Sequence, residues 1–390
     1  MEQKFIPLSV PNLKGNELKY ITQAVETEWV STGGPYVNDF EKAIADYVKV
    51  PLAVSCQNGT AGLHIALILA GVKAGDEVLS PTLTFIAAVN PIKYIGAEPV
   101  FMDCDDSLCM DPHKLETFCR DECTFENGIL RNKKSNRIIK ALIVVHVFGN
   151  MADMEALLAI ASQYDLKVVE DATEALGTYY TSGPYQGKYA GTMGDFGVYS
   201  FNGNKIITTG GGGMIVARKE VDSARAKHIT TQAKSDVVNF IHDEIGYNYR
   251  MTNLQAALGL AQLEQLEDFI ATKKANYNRY ASKIDSISGL SFLGFKVGTR
   301  TNYWFYSVFF YDFPLNRAEV IERLQENKIQ ARPIWGLIHE QIPYKEAQSY
   351  KIEKAKFFWD RILNVPCSTN LSADDVDCVC SCIKEMRGVC

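Results

Sequence analysis

The sequence predicts an α/β protein: a doubly wound, mostly parallel sheet flanked by helices, followed by a smaller α+β domain. Three observations carry this. Short apolar strands alternate with helical patterns from about residue 50 to residue 216. The residues with chemical potential fall just past the ends of those strands, where open α/β sheets bind their ligands. The alternation then stops, and from about residue 265 the chain reads as a long helix, antiparallel strands and two further helices. The expected division is 1–264 for the large domain and 265–390 for the small one.

In order, residues 15–30 read as a helix through Leu18, Ile21, Val25 and Trp29, turning at Ser31-Thr32-Gly33-Gly34-Pro35. Residues 37–47 read as a second helix and 52–55 as a strand. Gln57-Asn58-Gly59-Thr60-Ala61-Gly62 leads into the apolar run from His64 to Ala70. This is a strand, a turn of small residues and a helix whose first N–H groups attract an anion. It matches neither GxGxxG nor GxxxxGK[ST], and ordinary helix capping is the competing reading. A strand at 77–80 precedes Pro81-Thr82-Leu83-Thr84-Phe85, a helix is expected over 86–95, and strands over 98–103, 141–146 and 166–171, the last ending at Asp171. The charged stretch 119–137 reads as an irregular surface excursion. A strand over 196–201 ends in Asn202-Gly203-Asn204-Lys205, and four glycines, 210–213, lead to a strand at 214–216. Residues 252–284 read as helical, 290–293 and 303–311 as strands, 317–326 and 372–386 as helices.

Composition narrows the function. The 390 residues are 47% hydrophobic and 22% charged, with a net charge of −6. That is a globular balance, and it argues against nucleic-acid binding. No secretory h-region and no membrane-length apolar run is read, so a soluble, cytoplasmic protein is expected. The ten cysteines are scattered, with no CxxC pair. They read as free thiols, and no metal site is expected.

Lys205 closes a strand in a tight turn walled by apolar residues, where desolvation disfavours an ammonium; it is a candidate amine nucleophile. Asp171 could pair with a cationic ring nitrogen, the Thr60 helix start could hold a phosphate, and Phe85 could stack on a ring. Singly, each has an ordinary reading: surface lysine, helix N-cap, capped helix and core aromatic. Together they meet the needs of pyridoxal phosphate.

Ordered motifs along nearly the whole chain resemble the DegT/DnrJ/EryC1/StrS family of pyridoxal-phosphate sugar aminotransferases. They are Trp29-Val30-Ser31-Thr32-Gly33, Asn58-Gly59-Thr60-Ala61, His146-Val147-Phe148-Gly149, Glu170-Asp171-Ala172, Ser200-Phe201 with Lys205, Gly246-Tyr247-Asn248-Tyr249-Arg250-Met251, Arg332-Pro333 and His339-Glu340-Gln341. The resemblance implies the aspartate-aminotransferase (type I) fold, with Lys205 bonding the cofactor and shuttling the proton, and Asp171 at the pyridine nitrogen. It places Gly59, Thr60, Ala61, Ser200 and Asn202 around the cofactor, the phosphate held by Thr60, Ala61 and Ser200, and Phe85 on the ring. Asn248 reaches the phosphate from the neighbouring subunit of a homodimer. Thr32, Tyr199, Arg250 and His339 are implied on the substrate side. Glu174 stands where the family commonly has His or Gln. An ionised carboxylate beside the cofactor's phenolate would repel it, so Glu174 is either protonated or directed at the substrate.

The implied reaction has two halves. L-glutamate gives up its amino group and leaves as 2-oxoglutarate, and a ketone on a nucleotide sugar then receives the group, with ping-pong kinetics. Ile6-Pro7-Leu8-Ser9-Val10-Pro11, Trp29-Val30-Ser31 and residues 170–177 are most similar to the legionaminic-acid branch, which implies C4 of a UDP-linked 2-acetamido-2,6-dideoxy-4-keto-hexose. A dTDP-linked 3- or 4-keto sugar and a non-catalytic cofactor-binding regulator are the alternatives. A dehydratase of the same fold would lack Lys205.

Overall fold

The computed structural model describes residues 4–387. A ten-stranded sheet forms the first layer. Its main path runs Ala53–Cys56, Gly213–Ala217, Phe196–Ser200, Lys167–Asp171, Ile138–Val145, Glu77–Pro81, Glu98–Met102 and Ser349–Tyr350. From Phe196–Ser200 onward all neighbours on this path are parallel. Gly213–Ala217 is antiparallel to both of its neighbours, so the sheet is mixed at one end. The run Gly210 to Gly213, which ends in the strand's first residue, brings the chain back into a hairpin instead of crossing over through a helix.

Helix Gly59–Leu69 is buried nearly all round, which explains its continuous apolar run. Other expectations shift locally. Residues 86–95 split into a 3₁₀ turn, Ile86–Ala88, and the short helix Asn90–Tyr94, because Pro91 cannot continue a longer helix. The stretch 119–137 is ordered: helix Pro112–Asp121 leads to the hairpin Cys123–Glu126 and Ile129–Asn132, which adds antiparallel to Ile138–Val145. The helical stretch 252–284 is two helices, Asn253–Leu263 and Leu266–Ile284.

A second, antiparallel sheet has the order Leu290–Phe292, Tyr306–Phe310, Ile362–Val365, Arg332–Pro333. Helices Leu266–Ile284, Arg317–Glu326 and Ala373–Met386 accompany it. Segments cross between the two halves. Ser349–Tyr350 belongs to the first sheet. Near the start of the chain, Ile6 bridges to Ile329, Leu8 accepts from the Cys367 N–H and donates to Gln330, and Lys4 pairs with Asp375. A division at 264/265 therefore cuts the bonds of residues 4–10, and we propose that this segment is grouped with the second half.

The nine cysteines within the described residues are free thiols, and Cys390 lies outside them. No described helix is long and apolar enough to cross a membrane.

Candidate active site

The parallel strands end at one edge of the sheet, and that edge floors a cavity of about 250 Å³. Strand Lys167–Asp171 delivers Asp171, the loop after it Thr173 and Glu174, and strand Phe196–Ser200 delivers Ser200 with the Asn202-to-Lys205 turn. The start of helix Gly59–Leu69 supplies Asn58, Gly59 and Thr60, and Phe85 follows strand Glu77–Pro81. Trp304, Phe305 and Trp335 arrive from the C-terminal part of the chain.

Lys205 is enclosed, its side chain 13% exposed. Its Nζ lies 3.8 Å from Glu174 Oε1 and 4.3 Å from the centre of the Trp304 ring. Glu174 Oε2 accepts from the Phe148 N–H at 2.8 Å. Phe148 has a φ of 58°, a left-handed conformation uncommon for a residue with a side chain. Burial pushes the Glu174 carboxyl up to about 7, against the opposing pull of Lys205 and the Phe148 N–H. Asp171 is buried, and its Oδ1 accepts from the Thr173 N–H at 3.1 Å. Burial raises its pKa too. An inward carboxylate with so little compensation suits a cationic partner such as a protonated pyridine.

Behind this floor, Glu170 accepts from the N–H groups of Gly191, Met193 and Gly194. His146 Nδ1 accepts from the Ala152 N–H, which leaves Nε2 to donate to Glu170 at 2.9 Å. The network fixes the strand end from which Asp171 projects.

At the opposite wall, Asn58 caps the helix by accepting the Ala61 N–H at 2.8 Å. Gly59 and Thr60, whose N–H groups a helix start leaves without intrahelical partners, line the cavity together with Ser200. A Cβ at Gly59 would sit 3.0 Å from both Ser200 Cβ and Thr173 Cγ2. This is a narrow cradle backed by a helix dipole, and it fits a phosphate. Phosphate cradle, buried carboxylate and enclosed lysine thus fit pyridoxal phosphate in one cavity.

Gly59, Thr60, Phe85, Asp171, Glu174, Ser200, Asn202 and Lys205 all line that cavity. Phe85 is 52% exposed, so the core-aromatic reading fails for it. Six expected residues lie elsewhere. Ala61 is buried, with its N–H held by Asn58. Tyr199 points to the other face of the sheet, because side chains alternate along a strand and Ser200 faces the cavity; its hydroxyl donates to the Ala190 carbonyl at 2.6 Å. His339 packs against Thr82, with 2.6 Å between Nδ1 and Oγ1. Thr32 and Arg250 meet in a separate cavity of about 220 Å³, which also includes Lys227 and Ser55, and there Arg250 Nε is buried without a partner among the described residues. Asn248 is exposed, bridging to Thr231 outside the Lys205 cavity of its own chain.

Trp304 and Trp335 were absent from the sequence-derived site. The signal was an aromatic cluster, Tyr303 to Tyr306, that strand periodicity absorbed. A group of possible metal ligands, His228, Asp243 and Glu244, lies well away from these residues in the chain, with Glu244 paired to Arg225.

Comparisons with known proteins agree with this geometry. The model of the DegT/DnrJ/EryC1/StrS aminotransferase family matches residues 11–384. GDP-perosamine synthase of Escherichia coli O157:H7 is 37% identical over 382 residues, covering 98% of each chain. A Bacillus subtilis (strain 168) protein provisionally named pyridoxal phosphate-dependent aminotransferase EpsN is 36% identical, covering 95% of this chain and 93% of its own. Among solved structures, a DegT DnrJ EryC1 StrS aminotransferase from Brucella abortus superimposes with a TM-score of 0.86 at 26% identity, covering 96% of this chain and 95% of its own. With a family match along almost its whole length, on a fold that gathers Lys205, Asp171 and the Gly59–Thr60 cradle, the chain belongs to the DegT/DnrJ/EryC1/StrS aminotransferase family.

Proposed function

We propose that this pyridoxal-phosphate-dependent sugar aminotransferase moves the amino group of L-glutamate to C4 of a UDP-linked 2-acetamido-2,6-dideoxy-4-keto-hexose, working as a homodimer with shared active sites. The observation that carries the chemistry is the placement of Lys205, enclosed and facing Glu174, in the cavity floored by Asp171.

Gly59, Thr60 and Ser200 would hold the phosphate, and Asp171 would keep the ring nitrogen protonated. When bound, the cofactor supplies the aldehyde that accepts the amino group and the ring that withdraws electrons from the reacting carbon. Lys205 serves as nucleophile first, and then as the base and acid that lifts and returns the proton at Nζ. Glu174 gives the freed amine a nearby carboxyl, and Trp304, Phe305 and Trp335 keep water away from it.

The UDP-linked sugar rests on the resemblance of residues 6–11, 29–31 and 170–177, and the donor on the resemblance to the family as a whole. A second reading, a GDP-linked keto sugar, is favoured by the three relatives named GDP-perosamine synthase, 34–37% identical to this chain. For the dimer, the hairpin Lys234–Asp236 and Ile241–His242 supports the reading, with Val237, Val238, Phe240, Ile241 and Ile245 exposed close together in sequence. An apolar surface of this kind calls for cover, and it precedes Asn248.

The test is an absorption spectrum before and after L-glutamate. A visible band that bleaches, and is lost altogether in Lys205→Ala together with turnover, is the expected result; multiple turnover by Lys205→Ala overturns the assignment. Parallel assays with UDP- and GDP-linked 4-keto-6-deoxy sugars then decide between the two acceptors.

A further inference from the structure

The run 301–305 is fixed before it reaches the cavity. Thr301 Oγ1 donates to the Gly149 carbonyl at 2.8 Å. Asn302 Nδ2 donates to the carbonyls of Glu174 at 2.8 Å and Leu176 at 3.0 Å, while its Oδ1 accepts from the Trp304 N–H at 3.0 Å. Tyr303, between them, has a φ of 55°. The segment is thus tied to the loop that carries Glu174, and Trp304 emerges in one orientation.

Trp304 is 2% exposed. Its Nε1–H donates to the Asn204 carbonyl at 2.8 Å, and its ring stacks on Phe305 at 4.0 Å. The indole therefore touches consecutive residues in different ways. The N–H holds the backbone just before the lysine, and the face holds the amine itself, with Glu174 Oε1 nearby.

We propose that Trp304 is a positioning residue, which fixes where the Lys205 amine rests whenever it is not bonded to the cofactor, between the indole face and Glu174. The inference deepens the aminotransferase reading and rests on it. With the cofactor bound, Lys205 would alternate between holding it and acting as a free amine. Lys205 is then free on a flexible four-carbon stem and must return to one carbon to move a proton. Misplacement of a reacting group by about 1 Å costs on the order of 100-fold in rate. An indole face attracts an ammonium more strongly than other aromatic rings do, most of all when water is excluded. The Nε1–H bond keeps that face from turning away.

Two variants separate the contacts. Trp304→Phe keeps a face and loses the N–H, and Trp304→Leu loses both. In the holoenzyme, kcat of Trp304→Leu is expected to fall roughly 30- to 100-fold, with KM for donor and acceptor within about twofold, and Trp304→Phe to recover most of the loss. The second measurement needs neither turnover nor cofactor: thermal unfolding of cofactor-free protein in a cycle of Trp304→Leu with Lys205→Ala, where non-additive shifts in Tm are expected because the groups touch. An additive cycle overturns the proposal. So does a Trp304→Leu enzyme that keeps kcat within twofold, or one in which KM alone rises, which would make Trp304 a substrate contact. Wild-type protein that binds the cofactor and never responds to glutamate sinks the functional reading instead, and a non-additive cycle still supports the indole–amine contact.

Discussion

Glu174 shows how a carboxyl is tolerated where a neutral polar side chain is the common choice. Its pKa of about 7 lies above the ordinary 4.5, because burial outweighs the pull of Lys205 and the Phe148 N–H. The sign follows. In cofactor-free protein the folded state binds this proton more tightly than the unfolded chain. That contribution is complete below about pH 4.5 and is lost as pH rises through about 7, a span worth about 3 kcal/mol. Glu174→Gln keeps an oxygen for the Phe148 N–H and removes the ionisation. Urea unfolding between pH 5 and 8 should therefore show a shallower fall in stability for the variant; an unchanged slope would assign the titration to another group. Glu174 was legible in the sequence as a departure from the family pattern, but its direction was not. Tyr199 was misread because a motif names neighbours together while strand alternation sends them to opposite faces. Trp304 was missed because it sits just before strand Tyr306–Phe310, inside a run that looks like strand throughout.

At the scale of elements, the helix start at Asn58 is the proposed grip on the cofactor. Its small residues leave room for a phosphate, and Asn58 spends its side chain on the Ala61 N–H alone. Gly59→Val would push a side chain against Ser200 and Thr173. The expected outcome is a cofactor dissociation constant raised about tenfold or more, read by absorbance titration, with about 1–3 kcal/mol of overpacking cost to folding. Unchanged affinity would place the phosphate elsewhere. The continuous apolar run of Gly59–Leu69 and the spaced apolar residues of Arg317–Glu326 made these helices readable. The hairpin Cys123–Glu126 and Ile129–Asn132 was not, because it is exposed on much of its surface and is held by pairing with the edge of strand Ile138–Val145.

Across the whole molecule, the mostly parallel first sheet and the gathering of Asp171, Ser200 and Lys205 past its strand ends followed from the alternation of strands and helices. The stitching of residues 4–10 to the far end did not, since partners hundreds of positions apart leave no local pattern. Magnitudes decide what matters in that stitching. The Lys4–Asp375 pair has Lys4 69% exposed, so Lys4→Ala should cost less than about 1 kcal/mol. Ile6 is buried at 3% exposure, so Ile6→Ala should cost about 2–5 kcal/mol, measured by denaturant unfolding. Equal effects of the two would mean that the segment is held by charge and not by its apolar contact.

The same stitching sets a schedule during synthesis. Ile6 cannot meet Ile329, nor Leu8 meet Cys367, until nearly the whole chain has left the ribosome. At ordinary elongation rates of about 5–20 residues per second, the segment waits roughly 20 to 70 seconds. For that time Phe5, Ile6 and Leu8 are uncovered, beside Pro7 and Pro11. Prolines lack the N–H that a growing β-ladder needs. A stretch obliged to stay sticky for the longest interval of the chain's assembly is thus spelled so that it pairs poorly with strangers while it waits.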